Sequence, residues 1–256
     1  MNIKYTLGAI VSVPLLPLLY VQGKKIQKTI PQLPEATGIE GICEVSSNTT
    51  FQLITIGEST IAGVGAITHK NGFTGTLAKT LSEKISSTIS WKVYAKSGYT
   101  AKRVNNEIIT TITEKTINLI VIGLGGNDSF KLHSPKKWNA AVRELITTIR
   151  TTYKKTPIVF INMPPIKEFP AFTSTIKFVI GNLVQYLGKE LEKLVKDFDN
   201  VYYYSKIIEF DDYIERMKLD ATLEDFFSDG VHPSEFAYQI WAKDVADYIM
   251  EHKIIK

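Results

Sequence analysis

The chain is nearly free of cysteine. Cys43 is the single cysteine in 256 residues, so neither an intramolecular disulfide nor a cysteine-based metal site can form. His69, His133 and His252 have no carboxylate or cysteine neighbour at metal-ligand spacing. We therefore expect no metal ion and no other cofactor.

A strong charge imbalance is also missing. The formal net charge is +4, and 22% of the residues are charged. The lysines and arginines are scattered, apart from Lys24, Lys25 and Lys28, and they do not alternate with aromatic residues as they do in a nucleic-acid-binding surface. No nucleic-acid partner is expected. With 44% hydrophobic residues, and no internal repeat or low-complexity tract, the composition is that of a folded globular protein.

One long apolar run, from Tyr5 to Val21, carries no charged residue. As a helix it would reach roughly 26 Å, slightly less than the hydrocarbon core of a bilayer at about 30 Å. Because no small-x-small cleavage site follows the run, we expect residues 1–28 to be an uncleaved membrane anchor. The alternatives are a cleaved signal that releases a secreted or periplasmic protein, and a helix buried on the domain, which Pro14 and Pro17 disfavour.

The rest of the chain divides into a proline-punctuated linker, 29–48, and one folded domain, 49–256. In the domain, short β-branched apolar runs alternate with amphipathic helical patterns, which predicts βαβ units. Such units build a mainly parallel central sheet with helices on both faces, a three-layer α/β/α fold. The predicted strands are 51–56, 90–95, 118–122, 157–162 and 201–204. The predicted helices are 73–85, 101–113, 135–153, one ending near 198, and a last one from Pro233, with 207–227 as a long connection.

Polar residues follow two of these strands and recur near the C-terminus. The first strand runs into Gly57-Glu58-Ser59, the third runs into Gly126-Asn127-Asp128, and Asp229-Gly-Val-His232 lies before the last helix. Ligands of open α/β sheets bind at the carboxyl ends of strands. A serine placed there can be a nucleophile if a base lies within reach. His232 can take and return its proton, and Asp229 can orient the imidazole and stabilise the imidazolium.

Together with Ser97-Gly98-Tyr99-Thr100, these segments resemble the four sequence blocks of the SGNH (GDSL-type) hydrolases. The blocks are Ser, Gly, Gly-x-Asn-Asp and Asp-x-x-His, and they occur in this order between residues 50 and 250. The resemblance implies the flavodoxin-like fold of that family and a Ser59–Asp229–His232 triad. It also implies an oxyanion hole made by the backbone N–H groups of Ser59 and Gly98 and the side-chain amide of Asn127.

One position departs from the family pattern, because Glu58 stands where the family usually has aspartate. In the family that aspartate mainly supports the loop, so we expect Glu58 to keep the charge with a longer reach and to affect loop geometry, not the triad. Asp128 is expected to be structural. The aromatic residues between Phe169 and Phe178 are interpreted either as core or as contacts for an acyl chain.

Three functions are compatible with these patterns. The first is a serine esterase that hydrolyses an acyl, acetyl or lipid-like ester and is held at a membrane by its N-terminal segment. The second is an O-acyltransferase that uses the same triad. The third is a non-catalytic protein whose loop 57–65 binds an anion at a helix N-terminus, although this function leaves Asp229 and His232 unexplained.

Overall fold

The computed structural model describes residues 3–45 and 49–255. Its strands are Glu40–Cys43 (β1), Thr50–Gly57 (β2), Thr88–Ala95 (β3), Leu119–Gly123 (β4), Ile158–Phe160 (β5) and Val201–Tyr203 (β6). In the described residues they form one sheet in the order β1-β3-β2-β4-β5-β6. Strands β2 to β6 run parallel, and β1 pairs antiparallel with β3 at one edge. The prediction of a mainly parallel sheet is confirmed.

Helices cover both faces of this sheet. The helices of the described residues are Ile3–Ser12 (α1), Leu16–Thr29 (α2), Phe73–Ile85 (α3), Ala101–Glu107 (α4), Gly126–Phe130 (α5), Pro135–Thr152 (α6), Ser174–Leu194 (α7), Phe210–Met217 (α8) and Glu235–Glu251 (α9). Of these, α1 and α2 pack on α7 and not on the sheet. Short 3₁₀ turns lie at Val13–Leu15, Ile109–Thr111, Val195–Asp197 and Leu223–Phe226. The architecture is the expected three-layer α/β/α fold.

The two layers of core follow from the alternation of side chains along each strand. Leu53 and Val121 point to the side covered by α3 and α9, whereas Ile54 and Ile122 point to the side covered by α4, α6 and α7. All four are fully buried, and burying each such side chain contributes about 1.5–3 kcal/mol. Because both faces of the parallel strands are covered, β2 and β4 read as continuous apolar runs.

Three segments differ from the sequence-based expectation. Residues 40–43, inside the predicted linker, form the edge strand β1, whose outward side chains leave it without a continuous apolar run. The helix predicted to reach residue 113 ends at Glu107, before a threonine-rich 3₁₀ turn. The predicted connection 207–227 contains α8. Its Phe210 and Tyr213 are buried in the core layer on the side of the sheet that α3 and α9 cover. Residues 46–48 of the predicted linker lie outside the described residues.

The N-terminal apolar run forms α1 and α2, which continue into each other through the turn Val13–Leu15. Pro14 and Pro17 each stand in the first turn of a new helical segment, where the missing N–H has no intrahelical partner to lose. Within the described residues, Tyr5–Thr29 is long and apolar enough to cross a membrane, a test of length and composition that signal sequences also meet. Residues 1 and 2 of the predicted anchor lie outside the described part.

Candidate active site

Ser59 lies just beyond the carboxyl end of β2, in the turn that follows the strand. The Glu58 N–H donates a hydrogen bond of 3.1 Å to the Gly123 carbonyl at the end of β4. A Cβ atom at Gly57 would stand 2.3 Å from that same carbonyl oxygen. Only glycine allows the two strand ends to approach this closely. The chain therefore turns directly after Gly57 and leaves Ser59 partly exposed at the sheet edge.

Asp229 and His232 form a hydrogen-bonded pair on one short loop. Asp229 Oδ2 lies 2.8 Å from His232 Nδ1, while Asp229 Oδ1 accepts backbone N–H groups from Val231 at 2.9 Å and His232 at 2.7 Å. The carboxylate is fully buried, and the imidazole is 24% exposed. Burial acts to raise the pKa of Asp229, but the hydrogen bonds from His232 and Val231 outweigh it and hold that pKa below its usual range. The ionised carboxylate thus fixes the ring with Nδ1 inward.

The loop that carries Ser59 packs directly against the loop that carries His232. Ser228 Oγ lies 3.0 Å from the Gly65 carbonyl and 3.2 Å from the Pro233 carbonyl, between the two loops. A Cβ atom at Gly65, where φ is +103°, would stand 2.2 Å from the Pro233 oxygen. The buried Tyr238 hydroxyl also donates to the Val64 carbonyl, at 2.8 Å. Hydrogen bonds from side chains to backbone carbonyls, and the close approach at Gly65, thus hold the first and last blocks together.

A hydrogen bond links the segments that carry the two remaining predicted oxyanion donors, Gly98 and Asn127. Asn127, at the start of α5, donates its side-chain amide to the Tyr99 carbonyl at 3.2 Å. Gly98 precedes that tyrosine on an exposed turn with φ of +79°, and a Cβ atom there would meet no protein atom within 4 Å. The space in front of Gly98 is therefore open to a ligand, and the positive φ accounts for glycine at this position.

Glu58 connects the serine block to the asparagine block. Its Oε1 accepts the Gly126 N–H at 2.7 Å, and its Oε2 accepts the Asn127 N–H at 2.8 Å. The side chain is 4% exposed. Burial raises the pKa of Glu58 to about 7, although the N–H groups of Asn127 and Gly126 act in the opposite direction. The longer glutamate arm thus holds two backbone N–H groups at the start of α5.

A second carboxylate–imidazole pair lies beside the site, and the sequence spacing did not indicate it. Asp128 is fully buried; its Oδ2 accepts the Ala101 N–H at 2.8 Å, and its Oδ1 lies 2.7 Å from His133 Nδ1. Burial raises the pKa of Asp128. Because these contacts tie α5 to the first residue of α4, they support the structural interpretation of Asp128. The Asp128 and His133 main chains also pair, His133 N–H to Asp128 carbonyl.

The anion-binding hypothesis requires a helix N-terminus at the loop 57–65, whereas the next helix lies at its predicted position further along the chain. Residues 66–72 are not helical, and α3 begins only at Phe73. Gly65 is needed for its close approach to Pro233. The loop 57–65 therefore presents no helix N-terminus to an anion.

The structure brings all four predicted blocks to one edge of the sheet, with one bond of the expected triad not formed. Among the described residues, no hydrogen bond joins the Ser59 hydroxyl to the His232 ring, whereas Asp229 and His232 are bonded. Catalytic hydrogen bonds are often long in a ligand-free site and tighten when substrate binds. A partly exposed hydroxyl, an oriented imidazole and a glycine turn with open space in front of it can together support acyl transfer.

Residues 55–240 match the family model described as the GDSL-like Lipase/Acylhydrolase family. This match covers most of the chain and includes Ser59, Gly98, Asn127, Asp229 and His232. No curated protein sequence gives a significant match to the chain.

Solved structures with the same fold are only distantly similar in sequence. A Bacteroides ovatus protein described as a GDSL-like lipase is 18% identical over 80% of this chain and 54% of its own length, with a TM-score of 0.56. A family 3 carbohydrate esterase from Clostridium thermocellum is 17% identical over 80% of this chain and 97% of its own, with a TM-score of 0.54. The salicylyl-acyltransferase SsfX3 of a tetracycline biosynthetic pathway is 14% identical over 82% and 57%, with a TM-score of 0.55. This chain thus spans about half the length of the first and third.

Proposed function

The chain belongs to the GDSL-like lipase/acylhydrolase family, and from this membership we propose that it is a serine esterase that hydrolyses carboxylic esters through an acyl-enzyme. One observation carries the proposal. Asp229 Oδ2 holds His232 Nδ1 at 2.8 Å, in a loop that packs on the Ser59 loop, so the free ring nitrogen is available as a base. The Asp128–His133 pair has a similar geometry, but only the Asp229–His232 pair lies on the loop that packs against the Ser59 loop.

In the proposed reaction, the first step acylates Ser59. His232 Nε2 removes the hydroxyl proton while Ser59 Oγ attacks the ester carbonyl carbon, and Asp229 stabilises the imidazolium that forms. The oxyanion accepts hydrogen bonds from the N–H groups of Ser59 and Gly98 and from the Asn127 amide. Collapse of the tetrahedral intermediate breaks the carbon–oxygen bond, and His232 returns the proton to the leaving alcohol.

The second step releases the acyl group. Water attacks the acyl-enzyme carbonyl and gives its proton to His232, and the second tetrahedral intermediate collapses to free carboxylic acid and Ser59 hydroxyl. No cofactor takes part in either step. The residues that act are the same five throughout, so removal of one should affect both acylation and deacylation.

An O-acyltransferase is the second candidate, because an alcohol can replace water in the second step. The observation that favours it is the shared fold of a protein described as a salicylyl-acyltransferase. The two functions differ in the product formed when an alcohol is present. Liquid chromatography of the products, with a primary alcohol added, separates free acid from transferred ester.

For the chain as a whole we propose three parts, an N-terminal membrane anchor at 1–28, a linker that begins at residue 29 and ends before β1, and a catalytic domain at 40–256 that includes β1. The anchor rests on the apolar helix Tyr5–Thr29, and a cleaved signal that leaves a secreted or periplasmic enzyme is the alternative. Mass spectrometry of the N-terminal peptide from membrane and soluble fractions distinguishes them. The partners in this arrangement are a small-molecule or lipid ester and the membrane.

Hydrolysis of p-nitrophenyl esters of increasing chain length tests the proposed activity. Ser59→Ala should reduce turnover to the background rate, because no nucleophile remains. Thr60→Ala is the matched control, since it removes the neighbouring, partly exposed hydroxyl and should leave turnover within about twofold, as expected of a surface change. Substantial turnover by folded Ser59→Ala, or equal loss in both variants, would exclude Ser59 as the nucleophile.

A further inference from the structure

The N-terminal helix pair α1–α2 lies along helix α7. At its first turn, the Tyr5 ring packs edge-on against Tyr186 of α7, with ring centroids 5.8 Å apart. Near its other end, Gln22 Oε1 accepts a 2.7 Å hydrogen bond from the hydroxyl of Thr173, the N-cap residue of α7. Three apolar side chains on the inner face of the pair pack against an apolar cluster that includes Ile176 and Val179 of α7. They are Leu15, Leu19 and Ile26.

The spacing of these contacts bears on how the pair meets a membrane. Tyr5 and Gln22 lie about 26 Å apart along a helix that rises 1.5 Å per residue. A helix that crossed the bilayer with its C-terminal end at the domain would carry Tyr5 to the far side. Tyr5 could not then contact Tyr186. The geometry therefore corresponds to a helix pair parallel to the domain surface, not perpendicular to it.

The outer side of the pair is apolar and exposed. Six large apolar side chains on it are 54–68% exposed: Leu7, Ile10, Val11, Val13, Tyr20 and Val21. A contiguous exposed apolar surface of this kind marks an interaction site. It ends at the exposed lysines Lys24, Lys25 and Lys28, whose ammonium groups suit anionic lipid headgroups. An apolar face that ends in a basic cluster fits a bilayer surface better than it fits a groove in another protein.

A short aromatic segment, residues 166–173, joins the helix pair to the candidate active site. Phe169 belongs to the apolar cluster that α2 covers. The Ala171 N–H donates a 3.2 Å hydrogen bond to the Gly230 carbonyl, which lies between Asp229 and His232. The aromatic segment therefore supports the loop of the proposed base on one side and carries the anchor on the other.

The aromatic segment also reaches the oxyanion side of the site. The Phe172 ring packs edge-on against Phe130 of α5, with centroids 5.5 Å apart, three residues after Asn127. Phe130 and its neighbour Leu132 are 43% and 45% exposed. Apolar packing thus continues from the anchor, through the buried Phe169 and Phe172, to the partly exposed Phe130.

We propose that the helix pair α1–α2 lies in the plane of one bilayer leaflet while docked on α7, and that the substrate is an ester of a membrane lipid whose acyl chain passes over the aromatic segment to Ser59. The in-plane docking stands on the helix contacts alone. The substrate class rests on the proposed esterase function. The two parts therefore need separate measurements.

Cysteine cross-linking of the full-length protein in phosphatidylcholine–phosphatidylglycerol vesicles tests the docking. On a Cys43→Ser background, Tyr5→Cys with Tyr186→Cys should be cross-linked by a short bismaleimide, because those rings are in contact. Tyr20→Cys with Tyr186→Cys is the matched control and should stay uncross-linked, because Tyr20 is 68% exposed on the outer side. Absence of the first cross-link in vesicle-bound protein, or equal cross-linking of both pairs, would overturn in-plane docking.

Charge placed on the outer face tests the substrate class. Leu7→Glu with Val11→Glu should weaken vesicle binding by about tenfold or more, because the apolar face drives insertion. Hydrolysis of a long-chain diacyl ester in the same vesicles should fall by a similar factor, while turnover of p-nitrophenyl acetate stays unchanged. Thr147→Glu with Thr151→Glu, on the exposed side of α6, is the control of equal charge and spacing and should change neither.

The outcomes separate the two parts of the proposal. Equal effects of both double variants, or vesicle-ester hydrolysis unaffected by the outer-face charges, would overturn delivery of substrate from the bilayer. If the wild-type protein hydrolyses no ester but forms the Tyr5–Tyr186 cross-link in vesicles, the proposed function fails and the docking stands. If it hydrolyses p-nitrophenyl esters but not vesicle esters, the esterase stands and the lipid substrate is excluded.

Discussion

Replacement of Glu58 by glutamine tests the electrostatic account of the candidate site. The glutamate carboxylate accepts two backbone N–H groups, from Gly126 and Asn127. Glutamine has nearly the same shape, but it cannot ionise, and its NH₂ group faces one of the two donors. Glu58→Gln should therefore destabilise the fold at low pH, by about 1–3 kcal/mol, because a buried N–H loses its acceptor.

The same variant should also remove a specific dependence of stability on pH. The ordinary pKa of 4.5 applies to Glu58 in the unfolded chain, whereas the folded value is about 7. At about 1.4 kcal/mol for each pH unit between them, this separation corresponds to about 3 kcal/mol. Because the folded state binds the proton more tightly, the contribution is fully present below about pH 4.5 and is lost as the pH rises through about 7.

Urea unfolding of the full-length protein in a non-ionic detergent, followed by tryptophan fluorescence, measures this contribution. Between about pH 5 and about pH 8, the unfolding free energy of wild type minus that of Glu58→Gln should fall by up to about 3 kcal/mol. Glu144→Gln, at an exposed position on α6, is the control and should show no such trend. A difference that stays constant or grows with pH would refute the reasoning. The N–H donors would then lower the pKa of Glu58 at least as much as burial raises it.

Two further predictions concern the proposed catalytic groups. Asn127→Ala should lower kcat by about 10²–10³ with little change in KM, as expected of a donor used mainly in the transition state; an effect confined to KM would instead make Asn127 a substrate-binding residue. His232→Ala should reduce kcat/KM more than Asp229→Asn does, because the imidazole moves the proton and the carboxylate orients it. The reverse order in steady-state kinetics would contradict the assigned roles.

The central sheet could be predicted from the sequence because its strands are buried on both faces. Continuous β-branched runs such as 51–56 and 118–122 leave little alternative to a parallel strand. The edge strand β1 has no such signal, since its side chains alternate between partly buried and exposed. It is defined by pairing with β3, a contact between segments nearly fifty positions apart. Helix α8 was missed because its short apolar face is interrupted by acidic residues.

In the candidate site, too, some contacts are between residues close in sequence and others join distant segments. The Asp229–His232 pair is local, since two backbone N–H groups and the ring meet one carboxylate within four residues. The two acceptor bonds of Glu58 and the Asp128–Ala101 bond join different strands and helices. Residue types alone could not indicate them. Both carboxylates were expected to be structural, but their hydrogen-bond partners could not be predicted from the sequence.

Labelling with a fluorophosphonate, followed by mass spectrometry of the modified peptide, tests the central claim most directly. The reagent forms a stable adduct with a serine only when a base activates the hydroxyl and an oxyanion hole receives the phosphoryl oxygen. We expect a single adduct on Ser59, lost in Ser59→Ala and retained in Thr60→Ala. A folded wild-type protein that stays unmodified, or an adduct on another residue that persists in Ser59→Ala, would contradict this claim.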